Sequence, residues 1–431
     1  MRVLIGIFLA IPLASGCHAG TDEKPTSDEE HHSGGAPGSD YDTGEPVQPV
    51  ACADMLTSID TGSGSGVCTG EYLVFNEDTL SELDGCEVID GSLYVGDITT
   101  DDEPPTLSSV VDLDALSSLT AVTGDLHIVD NEVLTNIDGL ANLQKVMGTL
   151  QIAGNPELTG IDGLEHLSET GDLKLMANFN MATVDGLVCL RVVNGTLQVT
   201  SNPRLTNLDG LHQLTALHGD LTVLSNLSLV HMDGLASLTN VGAGIDISGN
   251  DALTQIDGLS RAVLSGSLLI SNNTALIQVD GLASVNRLES LRIEGNESLE
   301  NINGLSSLST VVGDALIGHN DALIDVHGLS SLSAVGGRML VNDNTALTQI
   351  DGLSSLSTVA TDITTTESTL EVSNNDALIQ LGGLSSLRDA GRRLVVSGND
   401  GLCQSFIDAF VTSLESLGWS GLQEFEGNAE C

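Results

Sequence analysis

Residues 149–172 read TLQIAGNPELTGIDGLEHLSETGD, and the fold follows from the recurrence of this stretch. From about residue 120 to 402 the chain repeats the pattern G-x-L-x-I-x-x-N-x-x-L-x-x-I-D-G-L-x-x-L-x-x-V. Asparagine marks the register, at Asn131, Asn155, Asn178, Asn202, Asn226, Asn250, Asn273, Asn296, Asn320, Asn344, Asn375 and Asn399. Each is followed three residues later by Leu, or by Met181 in one copy. Ten of the eleven spacings are 23 or 24 residues and one is 31. The excess falls in TDITTTES, residues 361–368, which is expected to leave the repeat as a loop.

Each copy opens with an alternating element such as Leu150-Gln151-Ile152, whose two apolar side chains share one face because the strand period is two. Stacked at about 4.8 Å per rung, twelve or thirteen such elements make a parallel sheet and a rod of roughly 60 Å. The later Leu, Ile and Val positions fill the other sides of each coil. This accounts for 41% hydrophobic residues alongside only 2% aromatic ones, a core of many small layers. The expected fold class is therefore mainly β, a right-handed parallel β-helix or leucine-rich-repeat-like solenoid. The repeated Asn sits at a corner, where a buried amide can bond the main chain of its own and neighbouring rungs. The Asp-Gly pair, Asp138-Gly139 through Asp351-Gly352, reads as a turn in which Gly takes positive φ and Asp caps the backbone. Eight of eleven copies keep the Asp, the others having Asn303, His327 and Gly382. Stacked carboxylates one rung apart would repel by about 1 kcal/mol in water. Calcium could bridge them, although one carboxylate per rung falls short of the roughly six to eight oxygens calcium takes.

The ends read differently. MRVLIGIFLAIPLASGC gives one charge at Arg2, an apolar run from Val3 to Leu13, then Ala14, Ser15 and Gly16 before Cys17, the pattern of a signal peptide over 1–16. LASGC resembles the bacterial lipobox, which implies that Cys17 becomes a lipid-modified N-terminus. His18 is not the aspartate that resembles an inner-membrane retention signal, so the implied address is the outer membrane, at the cell surface or on the periplasmic face. Residues 17–50 are acidic and rich in Pro, Gly and Ser, a disordered tether spanning roughly 30 Å. With 13 Lys plus Arg against 60 Asp plus Glu, the net charge is −47. Nucleic acid and anionic membrane surfaces are repelled, so the expected membrane contact is through the N-terminal lipid alone.

CTGEYLVFNEDTLSELDGCEVIDGSLYV, Cys68 to Val95, resembles the opening of the receptor L domain of insulin-receptor and epidermal-growth-factor-receptor ectodomains. The coils after it are similar to that family's repeat, and the resemblance runs from about residue 66 to 402 with an irregular DITTDDEPP stretch at 97–105. It implies a bracket between Cys68 and Cys86. Cys403 with Cys431 would tie down the C-terminal cap, 403–431, closing a loop worth roughly 3–4 kcal/mol. Within that cap Phe406, Phe410, Leu414 and Leu417 recur at helical spacing and predict a short amphipathic capping helix. Residues 51–120 then form the N-terminal cap and first coils, and 121–402 the regular repeats. Cys52 and Cys189 are left over: either they pair, with the N-terminal segment folded back along the rod, or Cys189 is a free thiol.

Catalytic signatures are missing from the sequence. It holds no G-x-S-x-G, no H-E-x-x-H, no phosphate-binding glycine loop and no Cys/His cluster at metal spacing. Polysaccharide lyases use related β-helices but need clustered Asp for calcium and a nearby base, whereas the repeat spreads acidic residues evenly. The informative asymmetry is the outward row four residues before each ladder Asn: His127, Gln151, Lys174, Gln198, Thr222, Asp246, Leu269, Arg292, Leu316, Leu340, Glu371 and Val395. Arg338 and Arg393 stand two residues before Leu340 and Val395 and share their face. Seven of the thirteen cations lie between Arg261 and Arg393, all arginine. An apolar strip of Leu269, Leu316, Leu340 and Val395 edged by Arg292, Arg338 and Arg393 is a candidate face for an extracellular protein or glycan. The expected function is non-enzymatic binding or adhesion, and the alternative is an envelope spacer without a specific ligand.

Overall fold

In most repeats the chain passes along a strand of four or five residues that walls the aliphatic core, turns at the ladder Asn, makes a 3-10 turn and returns through a two-residue strand. The structure is a computed structural model that describes residues 66–100, 103–359 and 369–431. The expected signal peptide, Cys17, the expected tether, Cys52 and the expected loop at 361–368 lie outside the described residues. The solenoid belongs to the compact unit Val50–Cys431.

Among the described residues the long sheet has fifteen strands, all paired in parallel and in sequence order, from Tyr72–Val74 and Leu93–Gly96 through Leu126–Val129 to Arg393–Ser397 and Leu422–Glu424. Each register step advances one repeat, as in Leu150↔Leu173 and Ile152↔Leu175. A second parallel sheet of eight short strands runs from Val67–Thr69 to Asn240–Val241 and resumes as four more from Arg287–Leu288 to Thr358–Val359. Among the described residues twelve 3-10 turns, from Asp114–Leu116 to Gly382–Leu384, stack along the remaining side. The core between these walls is one continuous cluster from Val74 to Trp419, built almost wholly of Leu, Ile and Val. The irregular stretch near residue 100 is a small antiparallel hairpin, Ile98–Thr100 with Glu103–Thr106.

The Asn ladder forms as expected. All twelve amides are 0% exposed. At each step the N–H and Nδ2 of one Asn donate to Oδ1 of the next; Asn202 gives 3.1 and 3.3 Å to Asn226. Asn226 Nδ2 in turn donates to the Val199 carbonyl of the preceding rung at 2.9 Å. Each rung thus uses both amide ends, so no ladder atom is buried without a partner. The ladder has a thirteenth member. Asn428 accepts from Asn399 N–H at 3.2 Å and donates to the Val396 carbonyl at 2.8 Å.

The turn chemistry corrects the expectation from sequence. Positive φ falls on the residue before each ladder Asn, in all twelve copies, and eight of these are not glycine, including Ala177 at +53° and His319 at +52°. The Gly of the Asp-Gly pair is required instead by close approach. A Cβ at Gly139 would stand 1.8 Å from the Leu113 carbonyl oxygen, and one at Gly328 would stand 1.7 Å from that of Ile302. The Asp side chain does not cap its turn. In six of the twelve described turns the residue two positions earlier does so: Asn207 Oδ1 accepts the Asp209 N–H at 2.9 Å, and Thr183 Oγ1 that of Asp185 at 2.9 Å.

At the N-terminal end the helix α1, Glu77–Ser81, is capped by Asn76 and buries Leu80. At the C-terminal end α2, Gln404–Ser416, covers the last coil with Ile407, Val411 and Leu414. Phe406 and Leu417, expected on that face, are exposed, because the 407/411/414 spacing turns them away from the core. The disulfides Cys68–Cys86 and Cys403–Cys431 are present. Cys189 is buried and disulfide-bonded, which removes the free-thiol alternative.

Candidate functional site: the outward face of the long sheet

Strand alternation turns three columns of side chains away from the core along this sheet, and the register makes the central column continuous. Asp246 pairs with Leu269, Leu269 with Arg292, Arg292 with Leu316, Leu316 with Leu340 and Leu340 with Glu371. The structure therefore assembles Leu269, Arg292, Leu316 and Leu340 on adjacent rungs, roughly 4.8 Å apart. The three leucines are half-buried, not fully exposed. Val395 does not join them, being only 6% exposed. The strand Leu422–Glu424 adds beside it with Glu424 in direct register, and Arg393 bonds that carboxylate at 3.0 Å.

The arginines along the strip are neutralised by local carboxylates. Arg338 makes a forked contact to Asp314 Oδ2, 3.0 Å from Nε and 2.7 Å from a terminal nitrogen, and its main-chain N–H meets Oδ1 at 2.7 Å. Burial would raise the Asp314 carboxyl, but the Arg338 hydrogen bonds and charge hold it below its ordinary value. Arg292 pairs with Glu294 on the same strand. The strip is thus apolar with locally compensated charge, which suits the desolvated centre of an interface.

Towards the N-terminal end the same column turns polar. The Tyr94 ring meets His127 edge-on with centroids 4.8 Å apart. Burial lowers the His127 pKa, with Asp125 opposing and Lys174 assisting, so the imidazole is neutral at pH 7. Lys174 is held 3.3 Å from Asp172.

Two other surfaces run along the rod, of which the first went unread in the sequence. Four residues after the ladder Asn stand Val230, Ile277, Ile324 and Ile379 on alternate rungs, between 42 and 58% exposed. Their β-branched character was a signal, since main-chain bonds such as Thr254 N–H to Val230 O at 3.0 Å place them on a further extended ladder. The first residues of the 3-10 turns form an acidic column, in which burial and then Asp280 and Asp233 raise the Asp257 pKa. Among the described residues no group of three or more His, Cys, Asp or Glu is arranged to hold a metal ion.

The parallel coils, the amide ladder and the N-terminal disulfide bracket define a mainly β parallel solenoid. Residues 85–162 and 309–413 match the model of the family Receptor L domain, and the coils between them continue the same pattern. That family is a non-enzymatic binding domain of the extracellular, ligand-binding kind. No curated protein matches the chain.

Proposed function

We propose that this chain is a non-enzymatic cell-envelope lipoprotein whose solenoid binds an extracellular protein or glycan through the outward face of its long sheet. Cleavage after residue 16, acylation of Cys17 and a tether to residue 50 would hold the solenoid off the outer membrane. Loss of acyl labelling in Cys17→Ala tests the anchor. Among the described residues no helix is long and apolar enough to cross a membrane.

The observation that supports the binding face is the run Leu269, Arg292, Leu316, Leu340, where a polar column becomes apolar on neighbouring rungs of one rigid sheet. Leu316→Asp with Leu340→Asp should abolish partner capture and leave the thermal midpoint nearly unchanged, because both side chains lie outside the core. Undiminished capture would contradict it. The spacer reading draws on a different observation, that Arg292, Arg338 and Arg393 are all satisfied within the chain. It predicts an abundant protein whose envelope role survives both substitutions.

A further inference from the structure

The C-terminal end of the solenoid carries a feature separate from the sheet face. The corner at residues 388–393 and the turn at 418–422 enclose a groove of about 780 Å³. Arg388, Arg392 and Arg393 line it together with Leu417 and Leu422. Three of the chain's thirteen cations thus fall within six residues, on a molecule of net charge −47.

Arg393 is occupied by Glu424, whereas Arg388 and Arg392 are exposed and form no ion pair among the described residues. Carboxylates stand near but bond elsewhere. Asp389 accepts the Gly391 N–H at 2.9 Å, and Glu415 accepts from Gln423 Nε2 at 2.9 Å. Two guanidinium groups therefore remain available for bidentate contact with a carboxylate.

The walls are set before any ligand arrives. Trp419 Nε1 donates to the Gly391 carbonyl at 2.7 Å and the Leu422 N–H to that of Arg392 at 2.8 Å. Gly421 passes so close that a Cβ would lie 2.5 Å from the Trp419 ring and 2.8 Å from the Arg392 oxygen. The Cys403–Cys431 disulfide secures the segment that carries this turn.

The apolar part of the lining selects among anionic ligands. Leu417 and Leu422 are 57 and 70% exposed, and Trp419, the aromatic ring at the groove, is only 7% exposed. A sugar finds no exposed aromatic ring to stack on, whereas an aliphatic side chain finds the exposed Leu417 and Leu422 to bury against. Leu422–Glu424 is also the last strand of the long sheet, so its outer edge has no strand partner among the described residues and can take a peptide main chain. We propose that this groove binds an acidic peptide segment with aliphatic residues between its carboxylates.

The test uses the full chain at physiological salt and a fluorescein-labelled hexapeptide alternating Glu and Leu. Anisotropy reports binding, and Trp419, the chain's single tryptophan, reports whether the groove is the place. Saturable binding with a Trp419 emission change is expected, weakened at least tenfold by Arg388→Gln with Arg392→Gln and also by Leu422→Ser. Arg392→Glu alone serves should the double variant not fold, with the same direction expected. Unchanged affinity in the arginine variants, or binding without a Trp419 response, overturns the proposal. So does arginine-dependent binding of a sulfated hexasaccharide in place of the peptide, which would make the groove a glycan site.

Discussion

Gly210→Ala separates close approach from backbone freedom as the reason for glycine in the Asp-Gly turn. Gly210 does not have positive φ. If glycine were there by conformational accident, alanine would stabilise the protein by about 0.4–1 kcal/mol through a stiffer unfolded chain. The structure predicts the opposite sign. The added Cβ would lie 1.9 Å from the Val184 oxygen and 2.6 Å from its carbonyl carbon, on the preceding rung. Ordinary contact begins near 3.4 Å, so two rungs must part by about 1.5 Å, against a spacing of roughly 4.8 Å. Overpacking of this kind costs about 1–3 kcal/mol. The same oxygen accepts the Leu187 N–H at 3.0 Å, and disturbing that bond adds about 1 kcal/mol. A destabilisation of about 2–4 kcal/mol is therefore expected, read as a lower guanidinium midpoint. Because stacked repeats can unravel locally, faster hydrogen exchange at Leu187 should accompany it. Ala115 is the internal control. It occupies the glycine position of the first 3-10 turn, Asp114–Leu116, which has no earlier turn of its kind beneath it. Ala115→Gly should lose only about 0.5–1 kcal/mol. An unchanged or raised midpoint for Gly210→Ala would refute the reasoning.

Three further outcomes follow from the same geometry. Ala177→Gly, at φ +53°, should be neutral or stabilising by up to about 1 kcal/mol in denaturant titration, where an ordinary Ala→Gly in regular structure loses that much. Asn226→Ala should lose about 2–4 kcal/mol in the same titration, since it strips bonds from the buried Asn202 N–H and the Val199 carbonyl together. The Asp257 pKa is raised in the folded state, so its contribution favours folding below the ordinary carboxylate pKa and is lost as pH rises through the folded value. Asp257→Asn should accordingly raise stability at pH 7, by less than about 1 kcal/mol at this partly exposed site, and make no difference near pH 3.

The coil and its ladder were legible because each rung solves the same packing problem with the same residues. Leu150, Ile152 and Asn155 face inward for reasons that apply equally at Leu340's neighbours Met339, Val341 and Asn344. The turn was misread because close approach and positive φ both select glycine, and sequence alone does not separate them. Ala115 was the clue, an alanine at the one copy without a turn below it. The left-handed residues did leave a trace that went unread, since nine of the twelve are Gly, Asn, Asp or His, the types that tolerate positive φ, with Ala177, Ser201 and Ser225 the exceptions. Asn428 was hidden because α2 inserts between it and Asn399, lengthening the spacing to 29 residues. On the candidate face, Leu269, Leu316 and Leu340 were placed correctly by the period of two. Val395 was not, because only the chain's return at Leu422–Glu424 covers it. The C-terminal groove was invisible for the same reason, its two walls being adjacent in space and far apart in sequence.

The claim that the long sheet's outward face is a binding surface is tested most directly by site-specific photo-crosslinking in the native envelope. A photoreactive residue at position 316 is predicted to trap a discrete partner adduct, while one at the exposed Ser307, among the 3-10 turns, traps none. Equal labelling from both positions, or no adduct from 316, would contradict the account.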